Sequence, residues 1–282
     1  MIRIRGAMAK GANWTIHETG KMGIPRFDLA GKVAIITGAG SAAGIGFAVA
    51  RTFAAYGAKL VLADIAIEQL RQRVAEILEE TPGAQVVFVR CDVNDAASRQ
   101  NLVDTALDAF GQIDVLVNIA GVADRNNSLA IDLDEDTWDF VVDIDLKAVF
   151  FLSQLVAKHM IQRERGNIIN LGSFTASIAS QRLMPYMAAK AGVVQMTRGM
   201  ALEWGRYNIR ANCICPGYVM SDMTRDALAA PGGYEAITRG IPYNRKVSDP
   251  MDIAATALFL ACDASDMVDG SSIFVDGGRC IV

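Results

Sequence analysis

The 282-residue chain sets 27 Lys and Arg against 31 Asp and Glu, a net charge of −4 with no basic block, which argues against a nucleic-acid surface. Hydrophobic residues make up 52% and charged residues 21%, and no apolar run reaches the length of a membrane span, so the composition is that of a globular protein able to bury a large core. Five cysteines without C-x-x-C spacing and two histidines, His17 and His159, leave little material for a disulfide frame, a metal centre or a Ser-His-Asp hydrolase; the cysteines read as buried thiols in a reducing, cytoplasmic setting.

Residues 1–27 show no hydrophobic period and no apolar core of a secretory signal, so they read as a tail ahead of one domain over 28–282. From Lys32 the pattern alternates. Strands are expected over 33–36, 60–63, 86–89, 115–117, 167–171, 209–214 and 272–275. Helices are expected over 45–56, 67–80, 96–110, 135–163, 186–206 and 251–261. Short apolar strands alternating with helices imply right-handed βαβ units. The predicted fold is therefore α/β: a single Rossmann domain with a doubly wound, parallel, seven-stranded sheet and helices on both faces. Only the segment 219–247 breaks the alternation. It holds Pro231-Gly232-Gly233 and Pro242, and a loop of this length inside a domain reads as a substrate lid with room for short helices.

Between the first strand and the first helix lies Thr37-Gly38-Ala39-Gly40-Ser41-Ala42-Ala43-Gly44-Ile45-Gly46. Glycines there let backbone amides approach a pyrophosphate, which the helix N-terminus attracts. Asp64 ends the second strand, where an acid bonds the adenosine ribose hydroxyls and repels a 2′-phosphate; no Arg stands beside it, so NAD is preferred over NADP. Further on, Pro185 fits the first turn of a helix that puts Tyr186 and Lys190 four residues apart on one face, and Ser173 stands thirteen residues upstream at a strand end. A Tyr-x-x-x-Lys pair alone is commonplace, but with that Ser in register it reads as a reacting centre.

These residues resemble the short-chain dehydrogenase/reductase family over about Phe27 to Gly278. The marks are the glycine turn with Gly38, Gly44 and Gly46, then Cys91-Asp92-Val93, Asn118-Ile119-Ala120-Gly121, Ser173 with Tyr186 and Lys190, Pro216-Gly217-Tyr218-Val219-Met220-Ser221, and Asp276-Gly277-Gly278. The resemblance implies that Ser173 orients the substrate oxygen, Tyr186 is the acid/base and Lys190 binds the nicotinamide ribose. It places Ser41 and Ile45 with the glycines around the cofactor, and Asp92 and Val93 at the adenine. Asn118 and Gly121 support the cofactor side of the sheet, and Pro216, Gly217, Val219 and Ser221 lie by the nicotinamide. For the phenol to act near neutral pH it must move down by about three units, roughly 4 kcal/mol, and both Lys190 and the positive nicotinamide ring pull in that direction.

Three departures stand out. The glycine turn is two residues longer than the family spacing. Ile119 replaces a usual Asn. Asp145 stands where the family places an Asn that helps hold a water in a proton relay to the Lys. Asp145 also falls in an apolar helical stripe with Val141, Ala148, Val149 and Leu152, so its carboxylate has to be paired, solvated or protonated. The expectation is a fourth member of the catalytic group, relaying through water to Lys190; a weakened relay is the alternative.

The resemblance implies a homotetramer, and a 186–206 helix apolar nearly all round agrees with it. The stretches Asn170–Ser173 and Tyr186-Met187 look similar to polyol dehydrogenases of the family, which implies a secondary alcohol or ketone as substrate, with Phe174, Thr175, Gln181, Met184 and Tyr218 near the reacting carbon. A 3-oxoacyl-thioester reductase is the runner-up. A methyltransferase would not need Ser173, Tyr186 and Lys190 in register, and a catalytically silent NAD(H)-binding protein is the reading from another class.

Overall fold

The computed structural model describes residues 27–123 and 128–282, so the expected tail lies, but for Phe27, outside the described residues. In chain order the elements are β1 (Val33–Thr37), α1 (Ile45–Ala55), β2 (Lys59–Asp64), α2 (Ile67–Glu80), β3 (Val86–Arg90), α3 (Ala96–Phe110) and β4 (Val115–Asn118). Then come α4 (Glu135–Val142), α5 (Ala148–Gln162), β5 (Gly166–Leu171), α6 (Met184–Trp204), β6 (Ile209–Pro216), α7 (Arg225–Ala229), α8 (Gly233–Thr238), α9 (Pro250–Ala261) and β7 (Ser272–Val275). Local chemistry sets several of these ends. Asp95 caps α3 by accepting from the Ser98 amide, and Gly111 closes that helix at φ 72°. Asp249 and Asp252 form a capping box around Pro250 at the start of α9.

The strands form one parallel seven-stranded sheet in the order β3-β2-β1-β4-β5-β6-β7. β1 reads Val-Ala-Ile-Ile-Thr and is buried throughout, as a strand with neighbours on both edges and helices on both faces has to be. One apolar layer joins α1, α2 and α9 to the sheet through Phe53, Leu70 and Ala257; the opposite layer joins α3, α5 and α6 through Leu102, Val156 and Met200. Burying a side chain such as Phe53 or Leu102 stabilises the domain by about 1.5–3 kcal/mol. The chain leaves β1 toward β2 and β3 on one side and resumes at β4 on the other. The strand order therefore reverses between β1 and β4, which opens a crevice at their carboxyl ends.

Two local features bear on that crevice. The helical stretch after residue 134 is interrupted by one π-helical turn, Asp143–Lys147, between α4 and α5. The stripe foreseen around it is buried, and Asp145 sits inside it at 0% exposure. The 219–247 segment carries the short helices α7 and α8 and is tied back by a bridge between Val219 and Ser248. A polar crevice of about 400 Å³, lined by Lys32, Asp114, Arg165 and Arg210 among others, opens at the opposite, amino-terminal ends of the strands.

Candidate active site

The glycine turn is shaped by close approach. Gly38, at φ +71°, lies where a Cβ would come 2.8 Å from the Ala120 nitrogen, and a Cβ on Gly46 would come 2.2 Å from the Gly38 carbonyl oxygen. Only glycine lets the turn, the start of α1 and the end of β4 occupy the same space. The two extra residues have partners of their own. The Gly40 amide donates to Asp64 Oδ2 at 2.7 Å, and Ser41 Oγ donates to the carboxylate of Asp222 in the 219–247 segment. Ile119, the second departure, packs its side chain against the apolar layer beside α1. Its backbone amide and that of Ala120 donate to Thr37 Oγ1 at 3.0 and 3.1 Å. The backbone of this turn is thus held without a polar side chain at 119.

This end of the molecule fits a nicotinamide dinucleotide. α1 begins at Ile45 behind Gly44 with no side-chain cap and no acid in its first turn, which leaves its positive end open to a pyrophosphate. Asp64 accepts from the Gly40 and Ala66 amides; a carboxylate has about four lone-pair sites, so two remain for ribose hydroxyls. Asp92 and Val93 stand beyond β3 next to Asp64, with Asp92 accepting from the Asn94 amide at 2.9 Å and the Val93 carbonyl from Arg99 at 2.6 Å. The Asn118 side chain is directed inward, donating to Ser153 Oγ at 3.0 Å and to Asn170 Oδ1 at 2.8 Å, so it ties β4 to β5 and α5 and offers a cofactor only its backbone. Gly217, after Pro216, packs against Asp276, and Val219 is buried above it. The Ser221 amide and Val219 carbonyl are both tied to the Thr224 hydroxyl. Among the described residues no His, Cys, Asp and Glu cluster could hold a metal ion.

Ser173, Tyr186 and Lys190, the candidate reacting triple, meet at the carboxyl end of β5. Ser173 accepts from the Thr175 amide at 3.1 Å and the Thr175 hydroxyl at 2.9 Å, which leaves its own proton to donate, and it hydrogen-bonds the Tyr186 phenol. Tyr186 lies in the first turn of α6 beside Pro185. Lys190, one turn on, is 3% exposed and reaches across to Asp145, with Nζ 3.1 Å from Asp145 Oδ2 and 3.1 Å from the Leu171 carbonyl oxygen. Asp145 Oδ1 accepts from the Val122 amide at 2.7 Å, and Gly121 is the residue whose missing Cβ makes room for that carboxylate.

Charge in this buried corner is balanced, not one-sided. Burial pushes the Tyr186 phenol above its ordinary value of 10.0; Lys190 pulls it down, Asp145 pushes it up again, and the Ser173 hydrogen bond favours the charged form. The net direction is upward, so in the protein alone Lys190 does not make a phenolate, in contrast to the simplest reading of a Tyr-x-x-x-Lys pair. Burial opposes the Lys190 charge, but Asp145 and then Tyr186 outweigh it and hold the ammonium above its ordinary value. Burial likewise lifts the Asp145 carboxyl, against the pull of Lys190 and the Val122 amide.

Sequence reasoning passed over Thr37, Val122 and Asp222, whose parts depend on contacts between distant elements. Among the residues proposed near the substrate, Phe174 is buried with its ring 5.0 Å from that of Tyr218, whereas Gln181 and Met184 are exposed at the start of α6.

The family model described as enoyl-(acyl carrier protein) reductase matches residues 38–279. A D-threitol dehydrogenase of Mycolicibacterium smegmatis is 39% identical over 255 residues, covering 90% of this chain and 95% of that protein. A 5-keto-D-gluconate 5-reductase of Escherichia coli is 37% identical over 256 residues, covering 90% and 98%. The crystal structure of a gluconate 5-dehydrogenase from Burkholderia cenocepacia, in complex with NADP and tartrate, superposes with a TM-score of 0.85 at 33% identity, covering 92% of this chain and 98% of that one. The chain belongs to the short-chain dehydrogenase/reductase family, whose members bind nicotinamide cofactors, and within it is similar to polyol and sugar dehydrogenases.

Proposed function

We propose that this protein is an oxidoreductase that interconverts a secondary alcohol and a ketone of polyol or sugar-acid type, with NAD as its preferred cofactor. The observation that carries this reading is the convergence of Ser173, Tyr186 and Lys190 at the end of β5, beside a glycine turn and strand-end acid suited to a dinucleotide. The names of the relatives support the substrate class. The nicotinamide, when bound, supplies or takes the hydride.

The chain's own residues do the rest. Ser173, its oxygen already accepting two bonds from Thr175, has one proton to give: in the chain alone it goes to the Tyr186 phenol, and with substrate bound it turns to the substrate oxygen and fixes that oxygen beside Tyr186. Tyr186 exchanges a proton with that oxygen. The Lys190 ammonium donates to the Leu171 carbonyl and is ion-paired with Asp145, and of its three N–H groups those not so engaged are open to the nicotinamide ribose. The Phe174 and Tyr218 rings pair 5.0 Å apart, and Leu228 of α7 and Ile237 of α8 pack in one cluster with Tyr218, which supports reading Phe174 and Tyr218 as the substrate wall and 219–247 as its lid. At the adenosine end, the Asp64 carboxylate accepts ribose hydroxyls and repels a 2′-phosphate, which supports NAD although a relative has been crystallised with NADP.

A homotetramer in a reducing, cytoplasmic setting is part of the same reading. Trp138, Phe140 and Phe151 on α4 and α5, and Leu202 on α6, stay exposed in the single chain, as do Phe274 and Ile281 at the far edge. Sedimentation giving four times the 30.2 kDa chain mass is the expected result. The activity is tested by screening NAD⁺ and NADP⁺ reduction over polyols, sugar acids, simple secondary alcohols and hydroxyacyl thioesters. Turnover of polyols or sugar acids with NAD⁺ is expected. Turnover confined to thioesters would replace this substrate class, and none with any donor would leave a cofactor-binding protein.

A further inference from the structure

We propose that Asp145 is a positioning residue that clamps the Lys190 ammonium directly and, by offsetting its charge, keeps Tyr186 a proton donor at neutral pH, so that the site is poised for ketone reduction. This rests on the roles proposed above for Tyr186 and Lys190.

The geometry is that of an ion pair without an intervening water. Asp145 Oδ2 lies 3.1 Å from Lys190 Nζ, both side chains are almost wholly buried at 0% and 3% exposure, and the second carboxylate oxygen is fixed by the Val122 amide at 2.7 Å. The π-helical turn Asp143–Lys147 is what carries Asp145 into this position from between α4 and α5. Lys190 is held from a second direction by the Leu171 carbonyl. Burial lifts the Asp145 carboxyl, but the adjacent ammonium and the Val122 amide both favour its ionised form; as a carboxylate it sets a negative charge against the ammonium, beside the Leu171 carbonyl dipole, where a neutral amide at 145 would supply only a dipole.

The consequence falls on the phenol. The groups facing Tyr186 are Lys190 from its own helix, Asp145 from the π turn, Ser173 from the end of β5 and Cys215 from β6; Cys213, 3.9 Å from Cys215 sulfur to sulfur, adds to those near Lys190. Lys190 is the only cation among them. With Asp145 against it the corner carries nearly no net charge, and burial then favours the neutral phenol. In reduction the reduced nicotinamide, when bound, would supply the hydride for the carbonyl carbon, while the Tyr186 Oη–H bond breaks and its proton joins the carbonyl oxygen, leaving a phenolate that takes a proton from solvent. Alcohol oxidation needs the phenolate first and so requires more alkaline conditions.

The test is an ultraviolet titration of phenolate absorbance in the full chain, with Tyr186 assigned by subtracting the Tyr186→Phe protein. In the wild type, Tyr186 is expected to show no phenolate below its ordinary value of 10.0. In Asp145→Asn its midpoint is expected at least about one pH unit lower, a tenfold gain in phenolate at a fixed pH below both midpoints. Asp145→Glu, which keeps the charge, is expected to follow the wild type. The pH midpoint of oxidative kcat/KM should move down with the phenolate in Asp145→Asn. Equal midpoints in wild type and Asp145→Asn, with only a lowered melting temperature, would make Asp145 structural and overturn the proposal. A wild-type phenolate near neutral pH would overturn it even if Asp145→Asn does not fold. A shifted midpoint in a protein that turns over no alcohol or ketone would instead refute the proposed activity and leave the clamp standing.

Discussion

At the end of β1 the glycine turn is shaped by absence: Cβ atoms at Gly38 and Gly46 would fall 2.8 and 2.2 Å from backbone atoms of Ala120 and Gly38. At the end of β5, two strands away, Lys190 and Asp145 are held by opposite charges 3.1 Å apart with almost no solvent. The cradle is built from hard-sphere contacts, which are short-ranged and insensitive to pH. The proposed reacting centre is built from charges in a low dielectric, where each group sets the protonation of the next. Substitutions in the two regions should therefore fail differently, the first in cofactor affinity and the second in proton transfer and stability.

The largest expected effect tests the reacting centre. Tyr186→Phe is expected to lower kcat about a thousandfold, within the range a positioned proton donor supplies, while NADH binding followed by fluorescence stays nearly unchanged; retained turnover would break the assignment of the proton to Tyr186. Lys190→Ala leaves a carboxylate buried without its partner and is expected to cost about 3–5 kcal/mol in urea denaturation. Adding Asp145→Asn should recover part of that loss, since the unpaired charge then disappears; a double variant no more stable than Lys190→Ala would deny the coupling.

The cradle gives the next two effects. Gly46→Ala drives a Cβ onto the Gly38 carbonyl, which has no flexible end to move aside, and should cost about 1–3 kcal/mol together with most of the cofactor affinity. A calorimetric dissociation constant equal to that of the wild type would sink this account of the turn. Asp64→Ala should raise the kcat/KM ratio of NADP to NAD about tenfold, worth roughly 1.4 kcal/mol, and an unmoved ratio would remove Asp64 from cofactor selection.

The smallest effect concerns pH. Lys190 and Tyr186 both have values raised above 10.5 and 10.0, so the folded chain keeps these protons after the unfolded chain has begun to lose them. Their contribution to stability is complete below those ordinary values and is lost as pH rises through the folded ones. Melting temperature should accordingly fall above about pH 10 in the wild type and fall less steeply in Tyr186→Phe. Parallel curves would show that the phenol is not so held.

Much of this was legible along the chain because it is local. Seven apolar strands alternating with helices, a glycine turn between strand and helix, an acid at the next strand end, and a Tyr and Lys one helical turn apart all follow from periods and sterics that act within a few residues. The apolar stripe around Asp145 likewise announced a buried acid, because hydrophobic period and charge conflict at that position, and the expectation linked it to Lys190 through a water. What the tertiary structure alone decided is that the two charges meet directly, 3.1 Å apart, and not through a water. The π turn, the Val122 amide after β4 and Lys190 on α6 meet only when β4, β5 and α6 are packed together. The same holds for Thr37 under Ile119 and Ala120, and for Ser41 against Asp222. The sequence by itself determined the parallel sheet and which side chains are the proposed reacting ones. The balance of charge around Tyr186, and with it the direction in which its proton is held, came only from the fold, because Coulomb energy depends on distances and burial that no spacing in the chain encodes.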